Sequence, residues 1–418
     1  MKRNQRHTCA SDSERSGSAS VRSVVSRTIR HLRHDNPYIH ATLKALCVSV
    51  VALLLSLLLS NPLSASLSGI FSSPERNDFR ITDLYAQVAE SRPVRQFDDR
   101  IVLVDIGHAD RSEIAEYLQI LSFCDPKAVG IDINFGRPTD AMTDSVLTEA
   151  LAMLPQAILP LGVEDCGNDR FRITDCPFFY SDASNRAYGV VNLPSEKENA
   201  SIREFATDYK IEGRGKTPSF VMALADMGGE GASAEARKRG NQHETIDYPS
   251  REFRIIPIEE IEQNAEALAG RYVLVGAMVE STDMHSTPIN SYMAGMQIHA
   301  YSLSTLLDRK WFAAMPTWID YVTAMALCFV VLFSALTITN LIRGLTLRLI
   351  QIFLLFLIVW IGYGLYIDRA IVCDFSHTLI MLAFGLLALD VWNGIEGLGK
   401  YTANILRTKK IRKCEPQY

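Results

Sequence analysis

Four stretches of this chain are almost free of charge over lengths that match a lipid bilayer. The first, "ALCVSVVALLLSLLLS" at 45–60, is uncharged, and no charged residue follows until Glu75. Residues 321–342 form an uncharged run of 22 and residues 349–367 another of 19. A shorter run, 375–389, is extended beyond Asp374 by Ile371 and Val372. A bilayer-spanning helix needs about 20 mostly apolar residues. The runs therefore predict one transmembrane helix over 41–61 and three packed into 318–393.

Flanking charge orients these spans. Residues 1–44 hold nine Lys/Arg against three Asp/Glu, and residues 391–418 hold six against two. Arg343 and Arg348 lie in the short loop between the second and third spans. Basic flanks stay in the cytoplasm, so a cytoplasmic arm (1–40) and a cytoplasmic tail (394–418) are expected. Four spans return the chain to the side where it began, in agreement with the charge. The arm is longer than a whole signal peptide of about 15–30 residues, so the first span reads as an uncleaved anchor. The segment 61–320, placed outside, carries 24 Lys/Arg against 39 Asp/Glu, a net charge of −15. An acidic domain of this kind offers no footprint for nucleic acid.

Within the expected outer domain, 62–317, strands alternate with helices. "DRIVLVDIG" (99–107), "PKAVGIDINF" (126–135) and "QAILPLGV" (156–163) are apolar, β-branched runs. Between them, "RSEIAEYLQILSFC" and "TDAMTDSVLTEALAML" carry helical periodicity, with Asp140 or Thr143 near the start of the second. This alternation predicts an α/β fold, a mostly parallel sheet flanked by helices, with right-handed crossovers. Further on, "TPSFVMALADM" reads as a helix with Thr217 as a cap, and 228–245 as an exposed loop. "RYVLVGA" is the last strand, and "MQIHAYSLSTLL" a helix with Met296, Ala300, Leu303 and Leu307 on its apolar face. Gly276 and Gly295 read as residues that permit tight turns.

"IVLVDIG", "PKAVGIDINF", "GRYVLVGAMVESTDMHSTPI" and "AGMQIHAYSLSTLL", in that order and followed by three closing spans, resemble the CHASE2 family over about 70–393. The resemblance implies an extracytoplasmic sensory domain of a bacterial receptor, in which the domain usually precedes a histidine kinase, an adenylate cyclase or a serine/threonine kinase. Two departures stand out. The tryptophan- and proline-rich loop usual after the first strand is replaced by "DIGHADRSEIAEYL". The 25 residues after the last span are also too few for a kinase or cyclase core. The expected function is therefore a membrane-bound sensor that detects an extracytoplasmic signal and passes it to a separate protein. The alternative is a structural or interaction protein of the bacterial envelope without a small-molecule ligand. The expected location is the bacterial inner membrane, multi-pass, with the large domain in the periplasm or extracellular space. Expected partners are the lipid bilayer and a signalling output protein, with a homodimer left open.

The chemistry-bearing residues converge on strand ends. Asp105 and Asp132 end the first two strands, and Asp283, His285 and Thr287 follow the last in "ESTDMHSTPIN". Ligands of open α/β sheets bind beyond the carboxyl ends of the strands, which makes these five the candidate ligand contacts. Carboxylates with an imidazole would suit a divalent cation, yet strand-end aspartates equally cap the backbone of the next element. No metal or cofactor is assigned. Ser286, His285 and Asp283 are too nearly adjacent to aim two directed hydrogen bonds as a hydrolase triad does. The chain has no nucleophile elbow, phosphate loop or zincin motif, and no enzymatic activity is expected. His299 reads as a structural histidine. Among the eight cysteines, Cys166 and Cys176 fall in "DCGNDRFRITDC", outside, where a disulfide can persist. Spacing does not decide whether they pair.

Overall fold

The run Ile101–Val104 has no polar side chain and sits 0–2% exposed at the centre of a nine-stranded sheet. The computed structural model describes residues 37–71, 78–92, 96–181, 186–194, 200–249, 251–278, 283–337 and 344–412. The basic arm up to residue 36, the tail from 413, Cys9, Cys414 and 280–282 of the "ESTDMHSTPIN" stretch lie outside the described residues.

In chain order the strands are β1 (Gln96–Asp105), β2 (Ala128–Asp132), β3 (Ala157–Asp165), β4 (Phe171–Asp175), β5 (Ala187–Val190), β6 (Glu204–Ala206), β7 (Asp208–Ile211), β8 (Gly215–Pro218), β9 (His243–Thr245), β10 (Arg251–Pro257) and β11 (Tyr272–Gly276). Six of them, β10-β1-β11-β2-β3-β5, pair in parallel. Beyond this core β3 pairs antiparallel with β4, and β7 and β8 form a hairpin at the far edge. β6 and β9 make a separate antiparallel pair.

Alternate residues of the central strands feed two cores. Val102, Val104, Val129, Ile131, Val273 and Val275 meet the helices Arg111–Ser122 and Ala141–Ala152 on one face. Ile101, Leu103, Ala128 and Leu274 meet the helices Phe220–Gly228, Ala232–Arg239 and Gly295–Leu307 on the other. Strands covered on both sides are continuously apolar, as parallel sheets require. The helix Gly295–Leu307 is buried around its whole circumference except at Gln297, so its apolar face is far wider than the expected four residues. Asp110 and Asp140 cap the two crossover helices, each accepting two backbone N–H groups of the first turn.

Two local expectations are corrected, and the open cysteine pairing is decided by register. Thr217 belongs to β8, and the N-cap position of the following helix is Ser219. The 228–245 segment contains the helix Ala232–Arg239 and the strand β9 rather than a loop. The β3–β4 turn does not join Cys166 to Cys176. Cys166 lies beside Arg170 at the tip, whereas Asp175 already pairs with Gly162 at the other end of the hairpin. At about 3.3 Å per residue this leaves the sulfurs beyond disulfide reach, and both are free thiols.

The chain divides into two units, 61–315 with 361–374 and the remainder. The first includes more than the sheet. The helix Ile81–Glu90 is fastened by Arg203, which pairs with Asp78 and Asp83 at 2.7 Å each. Tyr366 packs its ring against Phe312 at 5.2 Å and Tyr85 at 6.2 Å. Ala313–Ala314 forms a short parallel ladder with Ile371–Val372.

Among the described residues, four helices are long and apolar enough to cross a membrane: Pro37–Ser60, Thr317–Thr337, Leu345–Arg369 and Ser376–Leu406. The last runs well past the expected limit at 393. Polar contacts at the helix ends show the directions. Lys44 pairs with Glu396 at 2.8 Å and Arg348 with Asp390 at 3.3 Å at one end. At the other end, Asp320 accepts the backbone N–H groups of His377 and Thr378, both at 3.0 Å. A carboxylate in the first turn of one helix thereby caps the positive N-terminus of its parallel neighbour, which begins at the same end.

Candidate functional site

The parallel register sets Asp105, Gly276 and Asp132 in one row across β1, β11 and β2. With strands about 4.8 Å apart, the two aspartate Cα atoms are separated by roughly 10 Å, with the glycine between them. A side chain at 276 would press on Met296 Sδ and the Asp132 backbone oxygen, at 3.0 and 3.2 Å from its Cβ. Glycine here permits close approach, not the turn expected from the sequence.

The two aspartates have different tasks. Asp105 Oδ1 accepts the backbone N–H of Gly107 at 3.1 Å and of Met278 at 3.0 Å, pinning the loops that follow β1 and β11. It is a backbone cap. Asp132 faces the rim segment instead. Burial pushes its carboxyl up to about 7, the Asp283 charge adds to the rise and His285 opposes it.

The rim segment is a small hairpin in which Met284–His285 pairs antiparallel with Met293–Ala294. Thr287 closes its end. The Thr287 hydroxyl donates to Asn290 O at 2.9 Å and accepts the Asn290 N–H at 3.0 Å, and the side chain is fully buried. Thr287 thus shapes the turn from inside. His285 Nε2 lies 2.6 Å from Asp283 Oδ1, a contact that holds the Asp283 carboxyl below its usual range despite partial burial. The other face of that carboxylate rests on Gly295, where any side chain would overlap Asp283 Oδ2, and Gly295 N donates to Asp283 O at 3.0 Å. Gly295 is the first residue of the helix Gly295–Leu307.

One turn along that helix, His299 packs its ring on Phe220 at 5.1 Å. Burial pulls its pKa down to about 4, against the pull of Asp283 and a hydrogen bond to the Val191 backbone. Of the five expected contacts, the fold gathers Asp132, Asp283 and His285, gives Asp105 to backbone capping and buries Thr287. Sequence reasoning did not foresee that His299 shares the field of Asp283, nor that Gly295 is the seat of its carboxylate. An imidazole one turn from an N-terminal glycine was the available signal. Among the described residues no group of three or more His, Cys, Asp or Glu is arranged to hold a metal ion.

Asp132 and His299 give the domain opposed pH responses. An acid with a folded pKa near 7 against an ordinary 3.8 stabilises fully below pH 3.8 and loses that contribution as pH rises to 7. A histidine near 4 against an ordinary 6.5 stabilises above pH 6.5 and loses that contribution as pH falls toward 4. Each slope is about 1.4 kcal/mol per pH unit, so the two cancel across the shared window. Asp132→Asn should melt progressively lower from pH 6.5 to 4, and His299→Gln progressively higher from pH 7 to 4. Parallel pH profiles for the two variants would contradict this.

The CHASE2 domain model matches residues 50–336, more than half of the chain. No curated protein and no solved structure matches it.

Proposed function

Because the chain belongs to the CHASE2 family of extracytoplasmic sensory domains, we propose that it is a multi-pass receptor of the bacterial inner membrane. In this reading the domain at 62–317 lies in the periplasm or extracellular space. It converts a signal at the Asp132–Asp283–His285 rim into movement passed to a protein outside these 418 residues. The observation that carries the proposal is the seating of the Asp283 carboxylate on Gly295. Whatever alters the charge or position of Asp283 acts on the first residue of a buried helix. That helix ends at Leu307, ten residues before the membrane helix beginning at Thr317. A cationic or hydrogen-bond-donating effector suits two neighbouring carboxylates, because it favours the ionised form of Asp132. Such an effector shifts the domain only by its preference for one conformation over the other.

Two measurements test the proposal. Replacing Asp283 and His285 together by Ala should lower by severalfold the capture of a partner through a crosslinker placed at Lys409. Undiminished capture would reduce the segment to a turn. For orientation, single cysteines at Glu230 and Lys409 should react with a membrane-impermeant reagent from opposite sides of the membrane. Reaction of both from one side would refute the topology.

A further inference from the structure

Away from the rim, the β7–β8 hairpin holds a pair of charges that the fold does not neutralise. Its antiparallel register sets Lys210 directly opposite Lys216. Opposed residues project from the same face with Cβ atoms about 5 Å apart, and like charges so placed destabilise the pairing. Slippage cannot relieve the repulsion, because the alternate residues Tyr209 and Thr217 are buried and a one-residue shift would expose them. Asp208, next along the same face, is held by Arg237 at 3.3 Å, and Arg237 is itself gripped by Asp226 at 2.8 Å. Among the described residues neither lysine ammonium makes an ion pair.

Both lysines line a cleft of about 560 Å³, shared with Phe171, Pro218, His243, Arg237 and three carboxylates, of which Asp208 and Asp226 are held by Arg237 and Asp169 lies at the end away from that arginine's pairs. That volume falls within the roughly 300–1,000 Å³ of small-molecule sites. An aromatic ring and a proline on its wall favour a ligand with an apolar body over a bare inorganic ion. The cationic pair also stands out in a segment with 24 basic against 39 acidic residues.

We propose that this cleft binds an organic anion, a carboxylate or phosphate ester with an apolar body, whose charged end bridges the ammonium groups of Lys210 and Lys216. The site is separate from the Asp132–Asp283 rim and does not depend on it. Bound anion removes the cross-strand repulsion and ties β8, the last strand of the sheet, to β7.

The test is thermal melting of the full chain in lipid nanodiscs at constant ionic strength, with benzoate, phenyl phosphate or inorganic phosphate as probe. At tenfold excess over Kd, benzoate or phenyl phosphate should raise the midpoint by about 3–5 °C, with inorganic phosphate weaker. The larger response distinguishes a carboxylate from a phosphate ester as the preferred head group. Lys210→Glu should abolish the shift and raise the midpoint without probe by about 1–3 °C, since it turns a repulsive pair into an attractive one. Lys210→Glu/Lys216→Glu should lose that gain and remain unresponsive. The proposal is overturned if the organic probes do not shift the native chain, if the shift survives Lys210→Glu, or if inorganic phosphate acts as strongly. A lower midpoint for Lys210→Glu would equally overturn it and leave the lysines as protection of a sheet edge.

Discussion

Val104→Asp should leave the chain without a cooperative melt of its sheet domain. Val104 is 0% exposed in β1, flanked in register by Ile256 of β10 and Val275 of β11. Its side chain belongs to the core facing the helices Arg111–Ser122 and Ala141–Ala152. A carboxyl group placed there has no polar partner from those apolar neighbours. Burying it costs several kcal/mol, roughly, whether it ionises or takes up a proton, and the lost valine packing adds about 2 kcal/mol. Whole domains are stable by only about 5–15 kcal/mol. The measurement is circular dichroism and fluorescence melting of the purified full chain. A soluble variant with a sharp transition near that of the native chain would show that β1 is not central.

Arg251→Met should cost about 3 kcal/mol, in the range for a buried charge deprived of its partner. Arg251 is 6% exposed and reaches Asp247 at 3.2 Å, Asp98 at 3.7 Å, the Ser304 hydroxyl at 2.6 Å and the Asp308 carboxylate. Its removal is cushioned at all three acids, since Asp98 keeps Arg100 at 2.6 Å, Asp308 keeps Arg100 at 2.7 Å and Asp247 keeps Lys310 at 2.8 Å. Burial alone would raise the Asp98 pKa, but hydrogen bonds from Arg100 and Ser304 and the charge of Arg100 outweigh it and hold the carboxyl below its ordinary value. Such a group stabilises above its unfolded pKa and loses that contribution as pH falls. In the variant the surplus negative charge weakens this preference, so the deficit relative to the native chain should shrink on acidification from pH 5 to about 3, across the ordinary carboxyl value of 3.8. Melting at both pH values checks it. An equal deficit at each would mean that Arg251 contributes packing rather than charge.

Much of the architecture was readable because several strands are buried on both faces. "IVLVDI", "AVGIDI" and "YVLVGA" could hardly be anything but inner parallel strands, and they are β1, β2 and β11. What their runs did not encode is order. β11, from the far end of the domain, inserts between β1 and β2, and only that insertion places the segment after β11 beside Asp132. The strand-end position marked Asp105 and Asp132 equally, yet Asp105 caps backbone and Asp132 lies in the field of Asp283. Which aspartate turns to backbone and which to its neighbours depends on loops that meet in space. The helix Ala232–Arg239 escaped notice for a related reason. "ASAEARKR" is short and polar, and its place is secured from outside: Arg237 reaches Asp226 at 2.8 Å, and Gly240 ends it with a positive φ of 76°. Whether Cys166 and Cys176 meet was left open by their spacing, because register decides it and no count of intervening residues reveals register.

The short ladder of Ala313–Ala314 with Ile371–Val372 has a mechanical consequence. Ala313 N donates to Ala370 O and Met315 N to Val372 O, each at 2.9 Å. One partner is the chain about to enter the helix at Thr317, and the other is the chain that has just left the helix ending at Arg369. A lengthwise slip of one against the other comes only in steps of a residue repeat, about 3.3 Å, and breaks both bonds. Smaller displacements are shared by the two chains. The ladder acts as a yoke, so a pull on the 308–315 segment moves two helix ends together and sums their resistance. A piston stroke of a single helix is thereby disfavoured, and tilting or turning of the coupled pair is the softer motion.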